Sequence, residues 1–185
     1  MTRIVGGTAG GRRLSVPPGR GVRPTSDRAR EALFDTLGTL LELSHSRVLD
    51  LYAGSGAVGL EAVSRGAAHA LLVEVDAKAA AVAQANTAAL GLTDRVQVVR
   101  ERVERVLITP PSQAYHLAFV DPPYALPDQE LERMLQLLAG GWLVGGAIVV
   151  VERASRGAGP AWPAHFEAIK QRRYGDGTLW YGRRT

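Results

Sequence analysis

Between residues 47 and 151 the chain repeats one unit: a short apolar run, a turn, then a stretch whose apolar residues return at helical spacing. Apolar runs fall at 47–51, 70–74, 95–100, 116–121 and 147–151, with helical stretches at 57–65, 77–90 (closed by Gly91), 102–108 and 128–139. Apart from charged ends, and from Asp50 and Gln97, the runs are continuously apolar rather than apolar on alternate residues, which is the pattern of strands buried on both faces. Parallel neighbours need long crossover connections, and the helical stretches supply them. The expected fold is therefore α/β, a doubly wound and mostly parallel sheet with helices on both faces. Residues 165–173 and 178–183 read as two further strands joined by Tyr174-Gly175-Asp176-Gly177. They predict a C-terminal antiparallel hairpin that brings the sheet to seven strands.

Ahead of the repeat, residues 3–7 and 12–16 flank the turn-rich Gly6-Gly7-Thr8-Ala9-Gly10-Gly11, which predicts a basic N-terminal β-hairpin. Pro17, Pro18, Gly19 and Gly21 make an irregular linker, after which Thr25 or Ser26 can cap a helix carrying Ala29, Leu33, Leu37 and Leu40. The expected division is residues 1–24 as hairpin extension and linker, and 25–185 as the main domain. Charge follows the same division. Residues 1–30 hold seven arginines against Asp27 alone, and 170–185 hold five basic residues against Asp176. Since the whole chain carries only +4, its middle is acidic. An acidic body with basic ends fits a polyanion gripped by the ends. Of the 22 basic residues all but Lys78 and Lys170 are arginine, the side chain suited to bidentate phosphate contacts.

The absence of cysteine removes disulfides, thiolate metal sites, iron–sulfur clusters and cysteine nucleophiles together. The apolar and glycine stretch Ala139 to Val151, even with Leu137 and Leu138 ahead of it, is shorter than the roughly 20 residues a membrane span needs. Arg3, Arg12 and Arg13 interrupt any signal-like start, so a cytoplasmic protein is expected. The histidines (His45, His69, His116, His165) have no ligand spacing, and no metal is expected. Trp142, Trp162 and Trp180 are expected to serve packing.

The first apolar run leads into Asp50-Leu51-Tyr52-Ala53-Gly54-Ser55-Gly56-Ala57-Val58-Gly59, a G-x-G-x-x-G between strand and helix. Glycines there let a ligand approach the backbone and let the helix pack on the sheet, which fits a dinucleotide or another nucleotide cofactor. Asp50 shifts the balance. A carboxylate beside the loop repels a pyrophosphate but attracts the ammonium of S-adenosylmethionine. Glu74 ends the next run twenty positions after Gly54, placed for two ribose hydroxyls in either cofactor. Asp76 reads as a helix N-cap.

The run 116–121 ends in Asp121-Pro122-Pro123-Tyr124, at the carboxyl edge where such sheets bind ligands. As structure alone it is a strand-stopping turn. As chemistry it suits an exocyclic amino group, whose lone pair is delocalised into the base. The Asp121 carboxylate and the Pro122 carbonyl can each accept one N–H, freeing the lone pair for an electrophilic methyl. Pro122 and Pro123 stiffen the loop, and Tyr124 can stack on the base.

With these residues, and with RIVGGTAGGRRL, RPTSDRAREALFDTL, VEVD and RRYGDGTLWY, nearly the whole chain resembles the class I, Rossmann-like methyltransferases of the RsmD type. That resemblance implies transfer of one methyl from S-adenosylmethionine to N2 of a guanine in 16S rRNA, guanine 966 as the family is described. The substrate is then rRNA, free or in an assembling small subunit, and the enzyme a monomer. It implies a cofactor site of Asp50, Tyr52, Ala53, Gly54, Ser55, Gly56, Gly59, Glu74 and Val75. Arg100-Glu101-Arg102-Val103 lacks the expected adenine-binding acid, so backbone atoms of Arg102 and Val103 take that place. Asp121, Pro122, Pro123 and Tyr124 are the implied catalytic turn, and Arg3, Arg12, Arg13, Arg20, Arg23, Thr25 and Arg28 the RNA-binding set. Gly177 departs from the family, which is expected to carry threonine directly after Tyr-Gly-Asp. Adenine-N6 methylation and a noncatalytic RNA-binding assembly role are the alternatives.

Overall fold

The computed structural model describes residues 2–19 and 26–185, so Arg20, Arg23 and Thr25 of the RNA-binding set lie outside the described residues. Two compact units divide the chain, Met1–Val103 and Glu104–Thr185. In the first, β1 (Thr2–Arg3) and β2 (Arg13–Leu14) precede α1 (Asp27–Leu40), followed by β3 (Arg47–Leu51), α2 (Ala57–Ser64), β4 (His69–Val73), α3 (Ala77–Ala89) and β5 (Val96–Val99). After α4 (Val103–Leu107), the second carries β6 (Tyr115–Val120), α5 (Asp128–Leu137), a π-helical turn at Leu138–Trp142, β7 (Leu143–Ala154), β8 (Phe166–Tyr174) and β9 (Gly177–Arg184). The strands make a two-stranded sheet β1-β2 and a seven-stranded sheet in the order β5-β4-β3-β6-β7-β9-β8. The expected fold is observed, including the parallel body, the C-terminal hairpin and the small N-terminal one.

In the first unit β3 pairs with β4 and β4 with β5, all parallel. Val48, Leu49, Leu51, Ala70, Leu72 and Val73 have no exposed surface, as strands covered on both faces require. Ser26 caps α1 by accepting the Ala29 N–H at 3.1 Å, and Asp76 caps α3 by accepting that of Ala79 at 2.8 Å. Helix α2 is buried along its whole length, Glu61 included.

The N-terminal hairpin has shorter strands than expected, with only Thr2↔Leu14 and Arg3↔Arg13 in register. The reason is Glu61. Its carboxylate takes the N–H groups of Val5 and Gly6, both at 2.8 Å, so these residues turn towards α2 rather than extend the ladder. Ser64 continues the attachment, its carbonyl accepting the Thr8 N–H at 2.8 Å and its Oγ the Ala9 N–H at 2.9 Å.

In the second unit β6 and β7 are parallel, while β7-β9 and β9-β8 are antiparallel. β7 begins four residues earlier than its apolar core at 147–151. Its register on β6 jumps from Tyr115↔Leu143 to Leu117↔Ile148, and Gly146 takes φ 81° within that irregularity. Trp142 packs as expected: its Nε1 donates to the Leu107 carbonyl at 3.0 Å and its ring stacks on Tyr115 at 5.9 Å. Among the described residues no helix is long and apolar enough to cross a membrane.

Candidate active site

The loop between β3 and α2 is shaped by three left-handed backbones, Tyr52 (φ 62°), Gly54 (φ 56°) and Gly56 (φ 81°). Tyr52 adopts this conformation despite its Cβ, at a cost of about 1–3 kcal/mol that the surrounding structure must supply. Gly56 and Gly59 are demanded by packing: a Cβ on Gly56 would sit 2.5 Å from Leu72 Cδ2, and one on Gly59 2.9 Å from Leu72 Cδ1. Gly54 differs, since a Cβ there would meet nothing within 4 Å. Its bare backbone faces open space, as a ligand-facing glycine should. Its N–H donates to Glu74 Oε2 at 2.9 Å, and Glu74 Oε1 accepts the Asp76 N–H at 2.8 Å. Two backbone donors thus fix the carboxylate that directly follows β4. Val75 beside it is exposed, an apolar surface at the strand's edge.

Asp50 is buried, 2% exposed, with its Oδ2 accepting the Gly59 N–H at 2.9 Å. Burial raises its pKa from 3.8 to about 7; the Gly59 bond opposes this and the negative charge of Glu74 adds to it. A cation brought to this carboxylate would favour its ionised form. Arg102 is exposed with its N–H on Glu101 Oε1 at 2.7 Å, whereas the Val103 side chain is buried, leaving only its backbone to meet a ligand.

In the second unit Asp121 directly follows β6. Asp121 is partly exposed, Pro122 buried, and Pro123 and Tyr124 exposed. Arg153 of β7, only 9% exposed, braces this turn from beneath. Its guanidinium donates to the Pro123 carbonyl at 3.3 Å, the Leu126 carbonyl at 2.9 Å and Asp128 Oδ1 at 3.1 Å. Pro123 also accepts the Leu126 N–H at 2.9 Å. The departure at Gly177 acquires a physical reason here. A Cβ at that position would lie 2.8 Å from Glu152 Oε1 and 3.3 Å from the Tyr124 hydroxyl, so the bare Cα makes room for both.

The described members of the RNA-binding set are all exposed but not equally engaged. Arg3 pairs with Asp27 at 3.6 Å, and Arg12 donates to the Ala89 carbonyl at the end of α3. Arg13 and Arg28 are exposed on β2 and α1. Sequence reasoning singled out neither Arg153 nor Glu61 nor Asn86. Asn86 is 3% exposed and bonds both Ser15 and Ser55. The available signal was a polar residue on a helix face otherwise buried, Ala79, Ala80, Ala83 and Thr87 being its companions.

The fold recurs among solved structures. That of Escherichia coli yhhF, described as a methyltransferase, superposes with a TM-score of 0.86 at 34% identity, covering 98% of this chain and 97% of that one. A Thermus thermophilus protein described as hypothetical superposes at 0.82 with 36% identity, covering 98% of both chains. The ribosomal RNA small subunit methyltransferase D of Escherichia coli K12 is 37% identical over 171 residues, 92% of this chain and 83% of that protein. A glycine loop after β3, a fixed acid after β4 and these likenesses together define a methyltransferase. Residues 2–183 match the family described as conserved hypothetical protein 95, and the chain belongs to that family, in agreement with its resemblance to the RsmD type.

Proposed function

We propose that this chain, acting as a cytoplasmic monomer, transfers the methyl group of S-adenosylmethionine to the exocyclic N2 of a guanine in 16S rRNA. The observation that carries the reading is the braced Asp121-Pro122-Pro123-Tyr124 turn, held from beneath by Arg153 through the Pro123 and Leu126 carbonyls. The printed name of the Escherichia coli relative, a small subunit methyltransferase, supports the choice of substrate. The cofactor fits the residues of the first unit. Asp50 offers a buried carboxylate to an ammonium, Glu74 presents a carboxylate fixed by two N–H groups, and the open space at Gly54 admits a ligand against the backbone. Val75 and the backbone of Arg102 and Val103 complete the adenine side. When bound, S-adenosylmethionine supplies an electrophilic methyl carried on a sulfonium.

The protein's own part is to prepare the nucleophile. Asp121 and the Pro122 carbonyl accept the two N–H groups of the base amine, which localises its lone pair. Tyr124, 45% exposed, is available to stack on the base, a contact worth about 1–3 kcal/mol. Methyl transfer from the bound cofactor would leave the nitrogen cationic and S-adenosylhomocysteine as the leaving product, and Asp121 or water would take the nitrogen's proton. Positioning provides most of the acceleration, up to about 7–11 kcal/mol for well-oriented reactants. A base enters only when splayed or flipped from its helix.

The test is Asp121→Ala. Methylation of small subunits lacking the modification should fall by at least about 100-fold, as for loss of a transition-state acceptor, while S-adenosylhomocysteine binding persists. Nucleoside mass spectrometry of the product identifies the atom methylated. Wild-type turnover by the variant, or N6-methyladenine as product, would overturn the proposal.

A further inference from the structure

Asn86 lies on the buried face of α3. Its Oδ1 accepts the Ser15 N–H at 2.8 Å, and its Nδ2 donates to the carbonyls of Ser15 and Ser55, both at 3.0 Å. A helix face packed by alanine has no need of an amide, whose burial is unfavourable unless its donors and acceptor are met. Here all three bonds go to backbone atoms outside the helix. Two of them grip Ser15, directly after β2 of the N-terminal hairpin; the third holds Ser55, between the left-handed Gly54 and Gly56 of the loop after β3. The same helix receives Arg12 at the Ala89 carbonyl, so the hairpin is registered on α3 at a second point. On the other side, Glu61 and Ser64 of α2 hold Val5, Gly6, Thr8 and Ala9. Among these supports of the hairpin, Asn86 is the one that also bonds the loop.

We propose that Asn86 is a positioning residue that couples the two ligands: RNA held by the N-terminal hairpin raises the affinity of the loop for S-adenosylmethionine, and the cofactor raises affinity for RNA. The coupling rests on the RNA-methyltransferase reading above. Its physical basis is that whichever ligand binds first orders its own segment and fixes the amide. The second segment then loses less freedom when it is ordered in turn. Linkage makes the effect equal in both directions, typically 5- to 150-fold, or about 1–3 kcal/mol.

The measurement is the dissociation constant of S-adenosylhomocysteine, which donates no methyl, with and without small ribosomal subunits from a strain lacking the modification. Wild type should bind it at least about 5-fold more tightly with subunits present. Asn86→Asp keeps the acceptor for Ser15 but loses both donated bonds, and should reduce that ratio to near one. Ser15→Pro removes the N–H that meets Asn86 Oδ1 while leaving the bonds from Asn86 Nδ2 to the Ser15 and Ser55 carbonyls. It should leave cofactor affinity without subunits unchanged and still lower the ratio, which a simple loss of fold stability would not do. A ratio of one in wild type, or an unchanged ratio in Ser15→Pro, overturns the coupling while leaving methyl transfer intact. If wild type fails to bind subunits at all, the substrate reading fails instead.

Discussion

Asp50 shows how a single residue can be costly alone and useful in company. It is next to last in β3, between Leu49 and Leu51, which have no exposed surface, and its carboxylate accepts a hydrogen bond from the Gly59 N–H. Burial is the largest cause of its raised pKa, about 7 against 3.8. With the folded value above the unfolded one, the folded state holds the proton across that interval, so stability falls as pH rises through it. The full penalty is present above about pH 7 and absent below about pH 4. Asp50→Asn should accordingly melt higher than wild type at about pH 8, with the difference closing towards about pH 4. Added S-adenosylhomocysteine should close it too, because the ligand's ammonium favours ionised Asp50 and the variant loses that attraction. Thermal melts of both proteins across this range check the claim. Parallel curves would show that Asp50 titrates like an ordinary carboxylate.

At the scale of elements, the repeated strands and helices were legible because burial on both faces leaves an unbroken apolar run, and Ala70 to Val73 or Ala147 to Val151 needs no distant information to be read. β7 was only half legible: Val144-Gly145-Gly146 breaks the run, and only pairing with β6 reveals that the strand starts at Leu143. The hairpin strands were overestimated because the partner of Val5 and Gly6 is Glu61, a side chain more than fifty positions away. The same blindness hid Arg153, whose acceptors are backbone carbonyls that no spacing pattern encodes. Its effect should be measurable. Asp128 is a side chain 75% exposed, so the ion pair itself contributes little. The two carbonyl bonds are what hold the turn. Arg153→Ala should lower kcat by about 10- to 100-fold, the scale expected when catalytic groups shift by about an ångström. S-adenosylhomocysteine affinity should remain at the wild-type value, since Arg153 belongs to the second unit. Arg153→Lys should recover only part of kcat, a single ammonium being unable to span the Pro123 and Leu126 carbonyls as the guanidinium fork does. An unaltered kcat in Arg153→Ala would remove the bracing role.

Across the whole molecule the charge split acquires a division of labour. The glycine loop, Glu74 and the N-terminal hairpin all belong to Met1–Val103, whereas the Asp121 turn and the basic C-terminal hairpin belong to Glu104–Thr185. If the first unit grips RNA as proposed, binding should depend on arginines that are exposed and not spent internally. Arg30 illustrates the other kind: fully buried, it pairs with Glu61 at 3.2 Å and Asp27 at 3.0 Å, and counting it in the basic N-terminus overstates what faces solvent. Arg3 is tied to the Asp27 carboxylate and Arg12 to the Ala89 carbonyl, which leaves Arg13 and Arg28 as the exposed members of the set, among the described residues, without such a tie. Removing one cation that neutralises a phosphate should reduce the slope of log affinity against log salt by about 0.7 for single-stranded RNA. Replacing Arg13 and Arg28 by alanine should therefore flatten the slope by about 1.4 and weaken binding at low salt most. Arg30→Ala should instead lower the melting temperature, because it removes one of the two arginines, Arg30 and Arg65, that pair with the buried Glu61 carboxylate. Filter binding of the target rRNA segment over a salt series separates the two behaviours. A slope unchanged by the Arg13 and Arg28 substitutions would show that the N-terminal unit does not hold the RNA, and would move that role to the arginines of β8 and β9.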